Sequence, residues 1–303
     1  MATLKNTTVS GTGSAALPSG TYAQRPSAAN GMMRFNSNTG TSEIYTAANT
    51  SSSTWAAIQG HDIVKQNLLL WYDFGDLTCY AQGGATSVTN LIRGDYNGVM
   101  WNMAPTYSGS NQGHLIFDGL NDHISVSNSI IDFAWTQGGA YGSSAITVEI
   151  WFQSSDTGGR LISKPWNGSG QYNYWIDPGS GAPYWYVAGG NPHNGTTINF
   201  AANIFNGSWQ HLVCWANSTQ LGYYINGGQY SGSANHGLSF NVLPSAGLSV
   251  DFSINTLYPY TSWAGDTGHA IAGNTAIVRH YTSALTAAQA YQNFTAERHR
   301  FGI

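Results

Sequence analysis

The stretch His114-Leu115-Ile116-Phe117-Asp118-Gly119-Leu120-Asn121-Asp122-His123-Ile124-Ser125-Val126 decides how the rest of the chain is read. On its far side Ile124 and Val126 alternate with Ser125, the period-2 pattern of a half-buried strand. Between its two flanks sits Asp-Gly-Leu-Asn-Asp. Glycine takes positive φ without steric cost, and Asp and Asn side chains bond their own backbone. The segment therefore reads as two short strands joined by a hairpin turn.

The same grammar recurs on both sides. In 145–152, Ile146, Val148, Ile150 and Phe152 fall on one face and Thr147, Glu149 and Trp151 on the other. Residues 68–74 are a near-continuous apolar run, expected to be buried on both faces. Further runs at 89–92, 97–101, 161–164, 172–176, 184–187, 197–200 and 275–281 read as strands, separated by glycine- and asparagine-rich turns. Residues 209–215 and 221–225 read as a hairpin pair, followed by an Asn226-Gly227-Gly228 turn. One helix is expected. Thr286 is its N-cap and Gln289 completes a capping box, with alanines carrying it to about Phe294. Two antiparallel sheets packed face to face, an all-β sandwich, is the architecture this pattern predicts.

Composition agrees and narrows the function. Charged residues make up 8% of the 303, aromatics 13%, and 37 residues are glycine. Disordered chains lack such aromatic and β-branched runs. The net charge is −4 with ten Lys plus Arg and no basic stripe, which argues against nucleic acid as a partner. The longest apolar run is too short to span a bilayer, and the start lacks the apolar core of a signal peptide, so membrane insertion and secretion are not expected. Cys79 and Cys214 are read as two buried thiols, with a single disulfide left open.

Residues 1–60 form a separate zone, rich in Thr, Ser, Ala, Gly and Asn and without a large apolar cluster. Strands are expected at 31–36, 42–45 and about 55–58, too little to bury a core without a partner.

Phe117-Asp118-Gly119, Asn121-Asp122 and Ile124 resemble a motif of the laminin-G-like, concanavalin A-like jelly-roll domains found in bacteriophage structural proteins. The resemblance continues through Trp71-Tyr72-Asp73, Gly75-Asp76 and Asn97-Gly98-Val99-Met100-Trp101. It runs on to Trp209, His211-Leu212-Val213, Tyr224-Ile225-Asn226-Gly227 and the ending from Ile277 to Phe294. The leading zone resembles a module of phage fibres, through Arg25, Pro26, Met32, Met33, Arg34, Phe35, Tyr45 and Trp55. These likenesses imply a concanavalin A-like/laminin-G-like jelly roll over 66–303, a small N-terminal β module for attachment or oligomerisation over 1–60, and one short C-terminal helix. They further imply a virion structural protein assembled in the host cytoplasm. Such a protein would be a homotrimer held to other virion proteins by the N-terminal module, with a cell-surface glycan as ligand.

Three chemistries bear on the site. Sugar hydrolases of this sandwich class need two carboxylates on one groove. Glu149 has Thr147 and Trp151 as strand neighbours, and Glu occurs elsewhere only at Glu43 and Glu297. A non-enzyme is therefore expected, with a carbohydrate-active depolymerase or a purely architectural decoration protein as alternatives. Oxygen-bearing turns at Asp73, Asp76, Asp95 and Asn97, and at Asp118, Asn121 and Asp122, suit Ca²⁺. The same residues serve turns by backbone bonding alone. No cofactor is required, and Ca²⁺ is the one the turns could take. Trp166, Tyr172, Tyr174, Trp175, Tyr184, Trp185 and Tyr186 gather around glycines and asparagines as a glycan surface, about half of them expected to face the core.

Overall fold

The computed structural model describes residues 17–24, 32–36, 41–46, 54–57, 63–82, 84–102, 106–126, 145–167, 171–179, 182–188, 195–236, 251–256 and 270–303. The chain divides into two compact units, Met1–Asp62 and Ile63–Ile303.

In the first unit β1 (Ser19–Gly20), β2 (Met33–Asn36), β3 (Thr41–Thr46) and β4 (Thr54–Ala57) form one sheet in that order. β1 runs parallel to β2 and the other pairs are antiparallel. Burial alternates along β2 with the polar residue inside. Arg34 is buried and donates to the Thr21 carbonyl at 3.0 Å, whereas Met33 and Phe35 are 46% and 38% exposed. Met32 and Tyr45 are half-buried, and the Tyr45 N–H donates to the Met32 carbonyl at 2.8 Å. Arg25, Pro26 and the side chain of Trp55 lie outside the described residues.

The second unit contains, in chain order, β5 (Leu68–Asp73), β6 (Ser87–Val88), β7 (Gly98–Trp101), β8 (Tyr107–Ser108), β9 (His114–Asp118), β10 (His123–Val126) and β11 (Ile146–Gln153). Then come β12 (Ile162–Asn167), β13 (Gln171–Asp177), β14 (Tyr184–Ala188), β15 (Gly195–Asn199), β16 (Trp209–Ala216), β17 (Gln220–Ile225) and β18 (Tyr230–Asn235). The chain finishes with β19 (Phe252–Ile254), β20 (Ala272–Tyr281) and helix α1 (Ala287–Phe301). A front sheet has the order β15-β14-β13-β12-β19-β10-β7-β6, and a back sheet β18-β17-β16-β11-β20-β9-β8. β5 pairs with β20 beyond the end of β9, so β9 and β5 share one edge of β20.

Between the sheets lies one apolar core. Ile124, Ile162, Ile176, Trp185 and Phe252 enter it from the front, and Tyr72, Phe117, Val148, Ile150, Leu212 and Val278 from the back. The outer face of the back sheet's central strands, β11, β16 and β20, is buried as well, because α1 lies on it. Phe294 and Phe301 stack on Trp151, with centroids 5.8 and 4.2 Å away. The alternation expected for 145–152 is therefore correct in phase, but both faces of β11 are closed to solvent. The double burial expected of 68–74 has the same cause. Both cysteines are free and buried, and desolvation pushes the Cys79 thiol up to about 12.

Three expectations are corrected. First, β9 and β10 do not form a hairpin. β9 pairs with β20 and β8 in the back sheet, while β10 pairs with β7 and β19 in the front sheet. Asp118-Gly119-Leu120-Asn121-Asp122 is thus an arch that carries the chain across the core. The turn chemistry is nonetheless present: Asp118 Oδ1 accepts the Leu120 and Asn121 N–H groups, and Gly119 has φ +76°. A Cβ at Gly119 would lie 2.8 Å from that of Ala272, so the arch also hugs β20.

Second, 89–92 is not a strand. Buried Asn90 takes over the ladder's role with its side chain. It accepts the Trp71 N–H at 3.0 Å and donates to the carbonyls of Leu69 and Asp95. Third, α1 runs past Phe294 to Phe301. Its buried stripe of Ala290, Phe294, Glu297 and Phe301 keeps helical spacing, and Gly302 ends it at φ 71°. The capping box of Thr286 and Gln289 is present as expected.

Candidate functional site

The aromatic cluster of the sequence is split by strand pleat. On β13 and β14, Tyr174, Ile176, Trp185 and Val187 point into the core, while Trp175, Asp177, Tyr184 and Tyr186 point outward. Tyr174 and Trp185 are fully buried and leave the candidate surface. Buried tyrosine hydroxyls need partners, and Tyr174 Oη finds His280 Nε2 at 3.0 Å. Desolvation, helped by the charge of nearby buried Lys164, pushes the His280 pKa down to about 3, so that imidazole is neutral inside the sandwich. The side chains of Trp166 and Tyr172 lie outside the described residues.

The outward residues form one row. Trp175 and Tyr186 are opposite each other in register and stack with centroids 3.7 Å apart and planes at 16°. Arg160 covers Trp175 from 5.7 Å. At Gly195 a Cβ would fall 2.0 Å from Tyr186 Cζ, so the tyrosine lies across bare backbone there. The order Arg160–Trp175–Tyr186–Gly195 is therefore a continuous stack. Beside it, Arg160 Nη1 meets Asp177 Oδ2 at 2.8 Å, Tyr184 donates to the same oxygen, and the Gly179 N–H donates to Asp177 Oδ1 at 2.7 Å. Burial and then the Asp177 carboxylate raise the Tyr184 hydroxyl pKa, keeping it a donor. Thr197 and Asn199 on β15 stand opposite Tyr186 and Tyr184 and extend the row. A carboxylate, a guanidinium, hydroxyls and amides side by side can hold neutral polyhydroxy ligands.

The oxygen-bearing turns are occupied by protein groups. Asp73 accepts both guanidinium nitrogens of Arg300 (2.7 and 2.9 Å) and the Gly75 N–H. Asp76 accepts the Thr78 N–H and hydroxyl. Asp95 faces Arg93 at 3.6 Å, and Asn97 accepts the Asn90 N–H. Asp122 accepts the Asp118 N–H, and Asn121 gives its carbonyl to His123 Nδ1 and Asn102 Nδ2. No group of three or more His, Cys, Asp or Glu among the described residues is placed to hold a metal. The acidic residues of both groups thus bond protein groups, by turn hydrogen bonds or, at Asp73 and Asp95, by ion pairs with arginine.

A cluster that the sequence did not reveal sits under α1. Glu149 (β11), His211 (β16), Arg279 and Tyr281 (β20), and Asn293 and Glu297 (α1) are all buried. Arg279 Nη1 donates to Glu149 at 2.7 Å and to Glu297 at 3.0 Å, its Nη2 also bonds Glu297, and Trp71 lies under the guanidinium at 5.2 Å. Glu149 also accepts from Asn293 (2.6 Å), Tyr281 (3.3 Å) and His211 Nε2 (3.1 Å). Burial alone would raise the Glu149 pKa. Arg279, His211 and Asn293 outweigh it and hold the carboxyl at about 2. A second carboxylate thus does join Glu149, contrary to the strand reading. It comes from a helix 148 positions along, bonded through Arg279 and sealed from solvent rather than facing a groove.

The sequence family described as the concanavalin A-like lectin/glucanases superfamily matches residues 118–290. No curated protein matches the chain. Among solved structures, it is similar to a domain of an extracellular arabinanase from Geobacillus stearothermophilus in complex with arabinotriose. Identity is 16% and the TM-score 0.52, over 75% of this chain and 98% of that one. It is also similar to the binding domain of Paraclostridial Mosquitocidal Protein 1, at 15% identity and a TM-score of 0.54, over 78% of this chain and 52% of that one. A Trypanosoma rangeli sialidase gives 12% and 0.50, over 85% and 36%. The chain spans about half or less of the last two. At such identities the likeness is one of fold.

Proposed function

Because the chain belongs to the concanavalin A-like lectin/glucanase superfamily, we propose that it is a non-enzymatic, glycan-binding structural protein. In this reading it is a phage virion appendage whose jelly roll touches host-surface sugar. The carrying observation is the outward row on the front sheet, where Asp177, Arg160, Tyr184, Tyr186 and Trp175 converge beside Thr197 and Asn199. The non-enzymatic part is supported by the fate of the carboxylate pair, since Glu149 and Glu297 are locked on Arg279 beneath a helix where no glycosidic bond can reach. Attachment through the N-terminal unit, as a homotrimer with other virion proteins as neighbours, is supported by Met33 and Phe35. These side chains stand exposed on β2 while Arg34 between them is buried. Trimeric display would raise weak single-site binding to useful avidity. The phage assignment itself rests on the sequence motifs.

A glycan array probed with the full chain tests the reading. Retention on host-surface glycans, lost on Tyr186→Ala, is expected, with a trimeric mass by light scattering. Release of reducing ends from host polysaccharide, or no retention on any glycan, would overturn it.

A further inference from the structure

On the opposite side of the sandwich from the front-sheet row, a groove of about 620 Å³ runs between the turn after β17 and helix α1. That is within the usual volume of a small-ligand site. Its floor is Asn226-Gly227-Gly228, three successive residues with φ of 50°, 70° and 98°. A Cβ at Gly227 would lie 2.4 Å from the Phe294 ring, so only glycine lets the turn meet the helix. One wall is the 206–210 segment leading into β16, and the other is the face of α1 bearing Tyr291, Phe294 and Arg298.

The lining is unlike the sealed cluster nearby. Asn206, Gln210 and Asn226 form an amide chain. Gln210 Nε2 donates to Asn206 Oδ1 at 3.3 Å, and Asn226 Nδ2 to Gln210 Oε1 at 2.9 Å. The Asn226 Oδ1 end is fixed by the His211 N–H. At the rim, Gln229 makes no side-chain hydrogen bond among the described residues, and Tyr291 is 56% exposed with no aromatic partner among them. Arg298 is the only charged side chain of the lining. Every other arginine of the second unit faces a carboxylate: Arg93 with Asp95, Arg160 with Asp177, Arg279 with Glu149 and Glu297, and Arg300 with Asp73. Arg298 has none among the described residues, and its guanidinium sits 5.2 Å over Phe294.

We infer that this groove is a second saccharide site, taking a sugar that bears a carboxylate. The guanidinium fork of Arg298 pairs with the carboxylate through two N–H donors, a geometry that favours planar acids. The open face of Tyr291 takes the C–H face of the pyranose, and the Gln229 amide takes hydroxyls. The ligand class rests on the lectin reading above, while the place rests on other residues.

The test is calorimetric titration of the full chain with tri-galacturonic acid and with neutral galactotriose. The acid should saturate and the neutral sugar should bind at least about tenfold more weakly. Arg298→Gln should weaken the acid at least about tenfold, and Arg298→Lys should also weaken it, because an ammonium lacks the fork. Tyr291→Ala should cost a further few-fold. Arg298 and Tyr291 are exposed, so circular dichroism of each variant should match the parent. Equal affinity of parent and Arg298→Gln, no saturation by the acid, or displacement by equimolar inorganic phosphate would overturn the site. A chain that is retained on array glycans through Tyr186 yet ignores Arg298→Gln would refute the groove alone. A chain that binds the acid through Arg298 but no array glycan through Tyr186 would refute the front-sheet row alone.

Discussion

The two outer faces of the sandwich start from the same strand grammar and end as opposites. On β11 of the back sheet, Glu149 and Trp151 point away from the inter-sheet core. On β13 of the front sheet, Trp175 and Asp177 do the same. In each case an outward carboxylate meets an arginine: Glu149 meets Arg279 and Asp177 meets Arg160. The first pair is covered by α1 and is fully dry. In the second, the Arg160 side chain keeps 20% of its surface in solvent and the Asp177 side chain 6%. A covering helix turns an outward polar row into part of the scaffold; among the described residues no helix covers the front-sheet row.

The sharpest way to break this contrast is Arg279→Met. It leaves Glu149 and Glu297 buried without a cation, and stability in urea should fall by on the order of 3–5 kcal/mol. A loss below about 1 kcal/mol would mean the cluster is wet and the contrast false. Acid titration asks the same question with a sign. The Glu149 carboxyl is held at about 2 in the folded state against an ordinary 4.5. As pH falls through that window the unfolded chain takes up a proton that the folded chain refuses. The stability this carboxylate contributes above 4.5 is therefore lost progressively toward pH 2, about 3 kcal/mol in all. Glu149→Gln should flatten that part of the melting profile, and an unchanged profile would count against the pairing.

On the front sheet, Gly195→Ala drives a methyl into the Tyr186 ring. It should cost about 1–3 kcal/mol and reduce glycan retention, measured by melting and by array. Thr286→Ala removes the N-cap of the covering helix and should cost about 1 kcal/mol. The exposed Arg93–Asp95 pair calibrates the lower end. Arg93→Ala should change stability by less than about 0.5 kcal/mol, because solvent screens that pair.

These features are legible in the sequence where their cause is local. The Thr286–Gln289 capping box, the Asn226-Gly227-Gly228 turn and the phase of β11 each depend on groups a few residues apart. Legibility fails where two distant segments must meet. Asp118–Asp122 has the same turn chemistry whether the next strand pairs with the last one or crosses to the other sheet, so the arch looked like a hairpin. The partners of Glu149 come from β16, β20 and α1, none adjacent in sequence. The spacing of Ala290, Phe294, Glu297 and Phe301 along α1 was the one available sign that a glutamate would be buried against something.

By itself the sequence determined the alternation of each strand, its turns and caps, and the two-sheet class, because side-chain period and backbone hydrogen bonding are set within a few residues. Only the tertiary structure decided which of the two alternating sets faced the core, sending Tyr174 and Trp185 inward and Trp175 and Tyr186 outward. It alone decided that the outer set of β11 would be sealed. Both choices depend on which sheet a strand joins and what packs on that sheet, and that is fixed by contacts between residues far apart in the chain.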